Sequence, residues 1–304
     1  REFCNLTEVV VREEDTAETL QEKVKFATML GTWQSTLTNF RYLGKKWREN
    51  CEEERLLGVS MTGIMDNSLT NGKKKGLEEL LQKLRDTAVK TNKEWATKLG
   101  IPASVAITCV KPSGTVSQLV DSASGIHARH NPHYIRTVRA DKKDPLAMMM
   151  FDQGFPCEDD VTKPEHTWVF SFPVKGPKNG VYRKDMTAVE QLELWKVYQE
   201  NWCEHKPSIT VSVKEEEWMG VGAWTYENFD MMSGVSFLPF ADHTYRQAPY
   251  QDCDKQQYET LLKKMPAADW SKLSDYEEKD MTAGSQELAC SADGCEIVDL
   301  SSVG

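Results

Sequence analysis

Two cysteines near the end of the sequence have the spacing of a redox pair. Cys290 and Cys295 stand with four residues between them in the small, polar stretch "ACSADGCE". Two thiols on a mobile segment can close a small disulfide ring and exchange it with another disulfide. The spacing does not suit zinc, because no second pair of ligands follows. Two interpretations stay open from these residues alone: an exchanging dithiol, or two incidental cysteines.

A turn rich in hydroxyl side chains is the second candidate site. Its residues are Pro112, Ser113, Gly114, Thr115, Val116 and Ser117. Backbone N–H groups and hydroxyls that precede a helix form a cradle for an anion such as phosphate. An ordinary strand–helix loop with a Ser or Thr cap has the same features, and the sequence is not a Walker-type loop. Phosphate binding and a plain loop are therefore both open.

The remaining histidines and cysteines give weaker signals. His127, His130 and His133 are three apart, but Pro132 breaks any helix that would align them and Arg129 adds positive charge, so a metal site is not favoured. Cysteines that we expect to pack as small hydrophobic side chains are Cys51, Cys109, Cys157, Cys203 and Cys253.

Alternating strands and helices must position these candidates. Predicted strands cover residues 3–11, 56–65, 104–110, 167–174, 208–213 and 234–240. Predicted helices cover residues 16–30, 76–100, 144–154, 187–205 and 254–265. This alternation predicts parallel βαβ units, and the nearly continuous apolar strands predict that both faces of the sheet are covered.

The composition excludes several classes of protein. The 304 residues carry a formal charge of -10, which is a poor match for a nucleic-acid backbone. No apolar run approaches the roughly 18 residues of a membrane span, and no secretory leader is evident. Eight widely spread cysteines indicate a reducing compartment, so we expect a cytoplasmic protein.

Several blocks of sequence together resemble one enzyme family. The blocks, in chain order, are "FCNLTEV", "GTWQSTLTNFRYL", "EEERLLGVSMTGIMDN", "KPSGTVSQL", "SGIH", "NWCEHKPSIT", "GVSFLP" and "CSADGC". Their order resembles that of adenosylcobalamin-dependent ribonucleotide reductases, and most closely the monomeric ribonucleoside-triphosphate reductase type. The glycine-radical motif expected at the end of the anaerobic reductases is lacking.

The resemblance implies a fold and a set of boundaries. The expected fold class is α/β, with this chain as the second half of a ten-stranded α/β barrel: a parallel five-stranded half followed by a flexible redox tail. The expected domains are the half-barrel at 1–245, a helical extension at 246–279 and the tail with its cysteine pair at 280–304.

The resemblance also implies roles for particular residues. Cys4 corresponds to one of two cysteines that reduce the ribose, and its partner is expected on the other half of the barrel. The loop 112–117 corresponds to the loop that holds the substrate phosphates. Cys290 and Cys295 correspond to the pair that re-reduces the active site and is itself reduced by thioredoxin. The thiyl-radical cysteine, in an Asn-Pro-Cys-Gly-Glu motif, is expected before Phe3 and outside this chain.

The resulting hypothesis is radical reduction of ribonucleoside triphosphates to deoxyribonucleotides for DNA precursor supply. It implies adenosylcobalamin as cofactor, with contact residues that the blocks do not identify, and no metal site, nucleic acid or membrane. The chain is expected to need the N-terminal half of the reductase, in cis or in trans, and to be inactive alone. Two alternatives remain: a non-catalytic half-barrel binding subunit, and an unrelated α/β phosphate-binding transferase.

Overall fold

A computed structural model describes residues 1–240 and 245–277, and the backbone of 289–291 and 294–296. Helices are α1 (Ala17–Gln34), α2 (Lys45–Glu54), α3 (Leu77–Leu99), α4 (Val116–Leu119), α5 (Pro145–Asp152), α6 (Ala188–Asn201), α7 (Trp218–Glu227), α8 (Lys255–Leu262) and α9 (Leu273–Tyr276). Strands are β1 (Asn5–Val10), β2 (Leu57–Thr62), β3 (His133–Asp141), β4 (Cys157–Asp159), β5 (Thr167–Lys175), β6 (Ile209–Val213), β7 (Val235–Pro239), β8 (Tyr250–Asp252), β9 (Ala289–Ser291) and β10 (Gly294–Glu296).

The chain divides into two compact units. The first unit contains Arg1–Pro132 and Gly176–Asp242, and the second contains His133–Lys175 and His243–Gly304. This division differs from the expected one, in which 1–245 formed a single half-barrel. The segment 133–175 leaves the first unit because its two long strands, β3 and β5, pair with each other instead of joining the parallel strands.

Parallel pairing organises the first unit. β1 pairs with β2 and β6 pairs with β7, both in parallel. Between these pairs runs the extended segment 106–110, joined to β2 by a parallel bridge from Val59 to Thr108 and to the chain before β6 by one from Val110 to Pro207. The order is therefore β1, β2, segment 106–110, β6 and β7. The structure confirms a mixed α/β fold; closure into a barrel is not seen among the described residues.

One face of this parallel arrangement is covered by helices. Leu57 and Val59 of β2 are fully buried there, in a cluster that includes side chains of α1, α3 and α6. Helix α1 approaches closely: a Cβ placed on Gly31 would lie 3.5 Å from Leu57. Trp195 of α6 is also fully buried, and its indole N–H donates to the carbonyl of Pro207 at 2.8 Å. We call this side the helix-covered face.

Local signals explain where these helices begin and end. Thr16 caps α1 in a reciprocal capping box with Thr19, and Thr187 caps α6 in the same way. Gly100 ends α3 with φ at +67°, a conformation that glycine adopts without the steric penalty of a Cβ. The predicted helices are confirmed at these positions, whereas α2 and α7 were not predicted.

The second unit is built on an antiparallel sheet. Its strand order is β4, β5, β3 and β8, and all neighbours run antiparallel. The expectation that residues 167–174 belong to a parallel βαβ unit is therefore wrong. Its partner β3 escaped prediction because Arg136, Arg139 and Asp141 interrupt the apolar pattern that marks a covered strand. A small core of Ala147, Phe155 and Phe170 supports this sheet.

Candidate active site

The face of β1 and β2 opposite the helices is polar, and it is partly exposed along β1, whereas β2 is buried. Side chains alternate along a strand, so Cys4, Leu6 and Glu8 share one side, next to Gly58 and Ser60 of β2. Cys4 and Glu8 are half-buried, and Leu6 is 53% exposed although it lies in mid-strand. We call this side the open face.

Two thiols meet over the glycine of β2. A Cβ placed on Gly58 would lie 2.9 Å from the Sγ of Cys4 and 3.5 Å from the Sγ of Cys109. Only a glycine therefore leaves both sulfur atoms their present positions. Cys4 is the cysteine that the sequence singled out, whereas Cys109 was expected only to pack. It is fully buried, as expected, but it also borders the site.

Burial keeps both thiols protonated. Desolvation raises the pKa of Cys4 above its ordinary value, and the positive charge of Lys111 opposes that rise. Burial raises the pKa of Cys109 to about 12. Both side chains are therefore neutral thiols near pH 7, able to donate hydrogen but poor as nucleophiles. Lys111 was not predicted; its place two residues after Cys109 and directly before the loop was the available signal.

The predicted phosphate loop borders the open face. Ser113 and Ser117 are buried. The other four loop residues are exposed, namely Pro112, Gly114, Thr115 and Val116. Within the described residues, the amide groups of Gly114 and Thr115 donate no backbone hydrogen bond. The exposed turn therefore presents unused donors, while its two buried serines hold it in place.

A hydroxyl network fixes the loop and ties it to β1. The carbonyl of Ser113 accepts hydrogen bonds from the hydroxyls of Ser117 and Ser124, the latter at 2.9 Å. The amide of Ser113 donates back to Ser124 Oγ at 3.2 Å, and its hydroxyl donates to Glu8 Oε2 at 2.8 Å. The loop and β1, which begins directly after Cys4, are thus in direct contact. Glu8 was missed in the sequence, since a single carboxyl in a strand gives no pattern.

A buried ion pair supports the chain that follows the loop. Arg129 binds Asp66 with its Nε at 2.9 Å from Oδ1, and Asp121 with its Nη1 at 2.8 Å from Oδ1. Asp66 also accepts the amide of Ala123 at 2.8 Å. The arginine expected to disfavour a metal site is therefore a structural anchor between the turn that follows β2 and the segment after the loop.

The three histidines do not form a common site. His127 uses both ring nitrogens: Nδ1 lies 3.0 Å from the Ser124 carbonyl, and Nε2 accepts the amide of Thr210 at 2.9 Å. Burial lowers the pKa of His127, so the neutral ring is favoured. His133 begins β3 in the other unit. Across the described ranges, no group of three or more side chains is arranged to bind a metal ion.

The tail cysteines are described only in their backbone. Strands β9 and β10 pair antiparallel, with Cys290 opposite Cys295. Their side chains lie outside the described residues, so the redox role stays a prediction. Among the other cysteines, Cys51 and Cys203 are buried, and Cys157 and Cys253 are half-buried. No helix within the described residues is long and apolar enough to cross a membrane.

Comparisons with known proteins give a consistent relationship. No protein-family model matches the chain. It is 28% identical to an adenosylcobalamin-dependent ribonucleoside-triphosphate reductase of Euglena gracilis over 97% of this chain and 40% of that protein. It is 27% identical to a probable enzyme of the same name from Dictyostelium discoideum, over 98% of this chain and 38% of that protein. The chain thus spans about two fifths of the length of these curated relatives.

A solved structure agrees in fold. The crystal structure of a B12-dependent (class II) ribonucleotide reductase matches with a TM-score of 0.78 and 24% identity, over 90% of this chain and 42% of that one. The described geometry and the relatives together make this chain a distant homologue, over nearly its full length, of part of these reductases.

Proposed function

We propose that this distant homologue of adenosylcobalamin-dependent ribonucleoside-triphosphate reductases is their C-terminal portion, and that it supplies part of the active site. Cys4 would reduce the ribose and the loop 112–117 would hold the substrate triphosphate. The observation that carries the proposal is the hydrogen bond from Ser113 to Glu8, since it joins the loop to the strand that begins beside Cys4. A thiol and an anion cradle on one open face suit a nucleotide whose sugar and phosphates must be held together.

The chemistry assigned to this chain is a two-electron reduction. Cys4 and a cysteine outside the chain would together give two electrons and two protons to the ribose. The 2′ hydroxyl leaves as water, and the two sulfurs are joined in a disulfide. A protonated thiol suits this role, and burial keeps Cys4 in that form. Cys290 and Cys295 would then restore the thiols by disulfide exchange and be reduced in turn by thioredoxin.

The described residues do not identify a contact for adenosylcobalamin. One cavity, of about 760 Å³, is lined by residues of 71–79 and 181–197 and does not include Cys4. Its lining carries lysine and glutamate side chains, such as Lys74 and Glu190, and none of the candidate site residues. We therefore assign the cofactor to the complete protein and name no residue of this chain as its contact.

The open face indicates what the chain needs as a partner. The relatives are more than twice as long as the matched region. Leu6 and the half-buried Cys4 would be covered by the N-terminal half of the reductase, in cis or in trans, which would also bring the thiyl-radical cysteine. A reducing, cytoplasmic setting is consistent with this use of thiols.

Reconstitution from two polypeptides tests the proposal. Ribonucleotide reduction is measured with adenosylcobalamin, a dithiol and a nucleoside triphosphate, first with this chain alone. It is then measured with an added N-terminal polypeptide that carries the Asn-Pro-Cys-Gly-Glu motif. We expect turnover only in the mixture, lost with Cys4→Ser and kept with Cys253→Ser, a half-buried thiol of the second unit.

Two results would contradict the proposal. Turnover by the chain alone would show that no second part is required. A mixture that is folded and associated but inactive would instead favour the non-catalytic binding subunit.

A further inference from the structure

The hydrogen-bond donors of Ser113 are all committed inside the protein. Its amide donates to Ser124 Oγ and its hydroxyl donates to Glu8 Oε2. A serine hydroxyl has a single proton to donate. While that proton points to Glu8, the hydroxyl can offer only lone pairs to an anion, which would repel it. Ser113 is buried beneath the exposed residues of the proposed phosphate loop, so the direction of this bond affects which donors the loop can offer.

Glu8 has an unusual position for a carboxyl group. It is half-buried, and burial raises its pKa above the ordinary value, although the bond from Ser113 works in the opposite direction. The titratable group coupled to it is Cys109 on the neighbouring segment, whose pKa the charge of Glu8 raises, while the charge of Lys111 acts on Cys109 and on Cys4. The loop 112–117 contributes no charged side chain.

We propose that Glu8 is a positioning residue of the phosphate loop, acting through the direction of the Ser113 hydroxyl. As a carboxylate, Glu8 accepts the hydroxyl proton and withholds it from any anion. As a carboxylic acid, Glu8 donates its own proton to Ser113 Oγ, and Ser113 turns its proton to the phosphate. The inference rests on the proposed phosphate-binding role of the loop and names the group that controls it.

A coupling between anion binding and proton uptake follows. An anion in the loop favours the acid form of Glu8, both through the hydroxyl and through like-charge repulsion. By linkage, affinity for the anion is full below the pKa of Glu8 in the free protein. It falls as the pH rises through that value. Glutamine at this position mimics the acid form, because its amide N–H donates to Ser113 Oγ at every pH.

Binding of inorganic tripolyphosphate to this chain tests the inference. It is measured by calorimetry from about pH 4, below the ordinary pKa of a glutamic acid, to about pH 8. The protonation of tripolyphosphate itself is the same for every variant, so only differences between variants are interpreted. We expect Glu8→Gln to bind as tightly as the unmodified chain at the acidic end, and about tenfold more tightly at the basic end. The control is Glu14→Gln, which removes an exposed carboxyl group and changes the net charge by the same amount. It should leave the dependence of tripolyphosphate binding on pH unchanged.

Repeating the Glu8→Gln substitution in a Ser113→Ala variant separates the effect of the Ser113 hydroxyl from the effect of the Glu8 charge. In Ser113→Ala the hydroxyl is gone, so Glu8→Gln should retain only the smaller benefit of lost repulsion, and the two substitutions should not be additive. Additive effects would overturn the inference. Thermal unfolding of each variant confirms that the fold is kept.

Failure of the inference is distinguishable from failure of the proposed function. No binding of tripolyphosphate, or binding that Thr115→Glu does not weaken, would contradict the phosphate role of the loop and the inference with it. Binding that Thr115→Glu abolishes, with identical pH profiles for the unmodified chain and Glu8→Gln, would contradict the inference alone.

Discussion

The two faces of the parallel strands β1 and β2 differ in polarity and in the exposure of the β1 side chains. On the helix-covered face, Val59 and Met61 are fully buried in the main cluster. The open face carries Cys4 and Glu8, whose side chains are half-buried and titratable. It also carries Gly58, which has no side chain. One face therefore supplies the free energy of folding, and the other is left free for chemistry. Substitutions on the two faces should separate stability from function.

The largest effect is expected on the helix-covered face. Trp195→Ala removes a fully buried indole that contacts Trp224 and donates to the Pro207 carbonyl. The cavity and the unpaired carbonyl should lower the free energy of unfolding by about 4 kcal/mol, measured by urea denaturation. Leu6→Ala on the open face should change it by less than about 0.5 kcal/mol, because that side chain is already half in water. Equal losses would contradict the division between the faces.

A somewhat smaller effect is expected at the buried ion pair behind the loop. Arg129→Leu leaves the carboxylate of Asp66 buried without its cation, at a cost of about 3 kcal/mol. Arg48→Leu, which removes an exposed pair with Glu52, should cost less than about 1 kcal/mol. Urea denaturation of both variants checks the difference. A small loss for Arg129→Leu would show that the loop does not depend on this anchor.

Sequence reasoning predicted the helix-covered face far better than the open one. Apolar residues at regular spacing, and caps such as Thr16 and Gly100, act locally, so helices and most strands followed from the pattern. The second unit was missed because the pairing of β3 with β5 links residues that are distant in sequence.

Within the candidate site too, residues marked by a local sequence motif were predicted, and residues brought together only by the fold were not. Cys4 and the loop 112–117 were found through their resemblance to a family. Glu8, Cys109 and Lys111 were not found, because only the strand register places them beside Cys4 and Ser113. A single titratable residue in a strand has no spacing from which its role can be predicted.

Gly58→Ala should affect the open face more than the fold. The new methyl group would lie 2.3 Å from the Cδ2 of Leu6 and 2.9 Å from the Sγ of Cys4, so both side chains must move toward solvent. Since Leu6 is exposed and free to move, the expected cost is about 1 kcal/mol. Displacement of the thiol should speed alkylation of Cys4 by iodoacetamide, followed by mass spectrometry. Gly31→Ala, at ordinary contact distance from Leu57, serves as the control and should leave that rate unchanged.

The smallest effect is expected from the charge beside the thiol. The positive charge of Lys111 lowers the pKa of Cys4 against the larger effect of burial, which raises it. Lys111→Gln should therefore raise that pKa further and reduce the thiolate fraction at any pH below it. The rate of Cys4 alkylation near pH 8 should fall about threefold, and the difference should vanish once the pH exceeds both pKa values. Lys46→Gln, an exposed lysine of α2, should leave the rate unchanged. An unchanged rate in Lys111→Gln would show that the charge of Lys111 does not affect the pKa of Cys4. Burial would then remain as the cause of the raised pKa of this thiol.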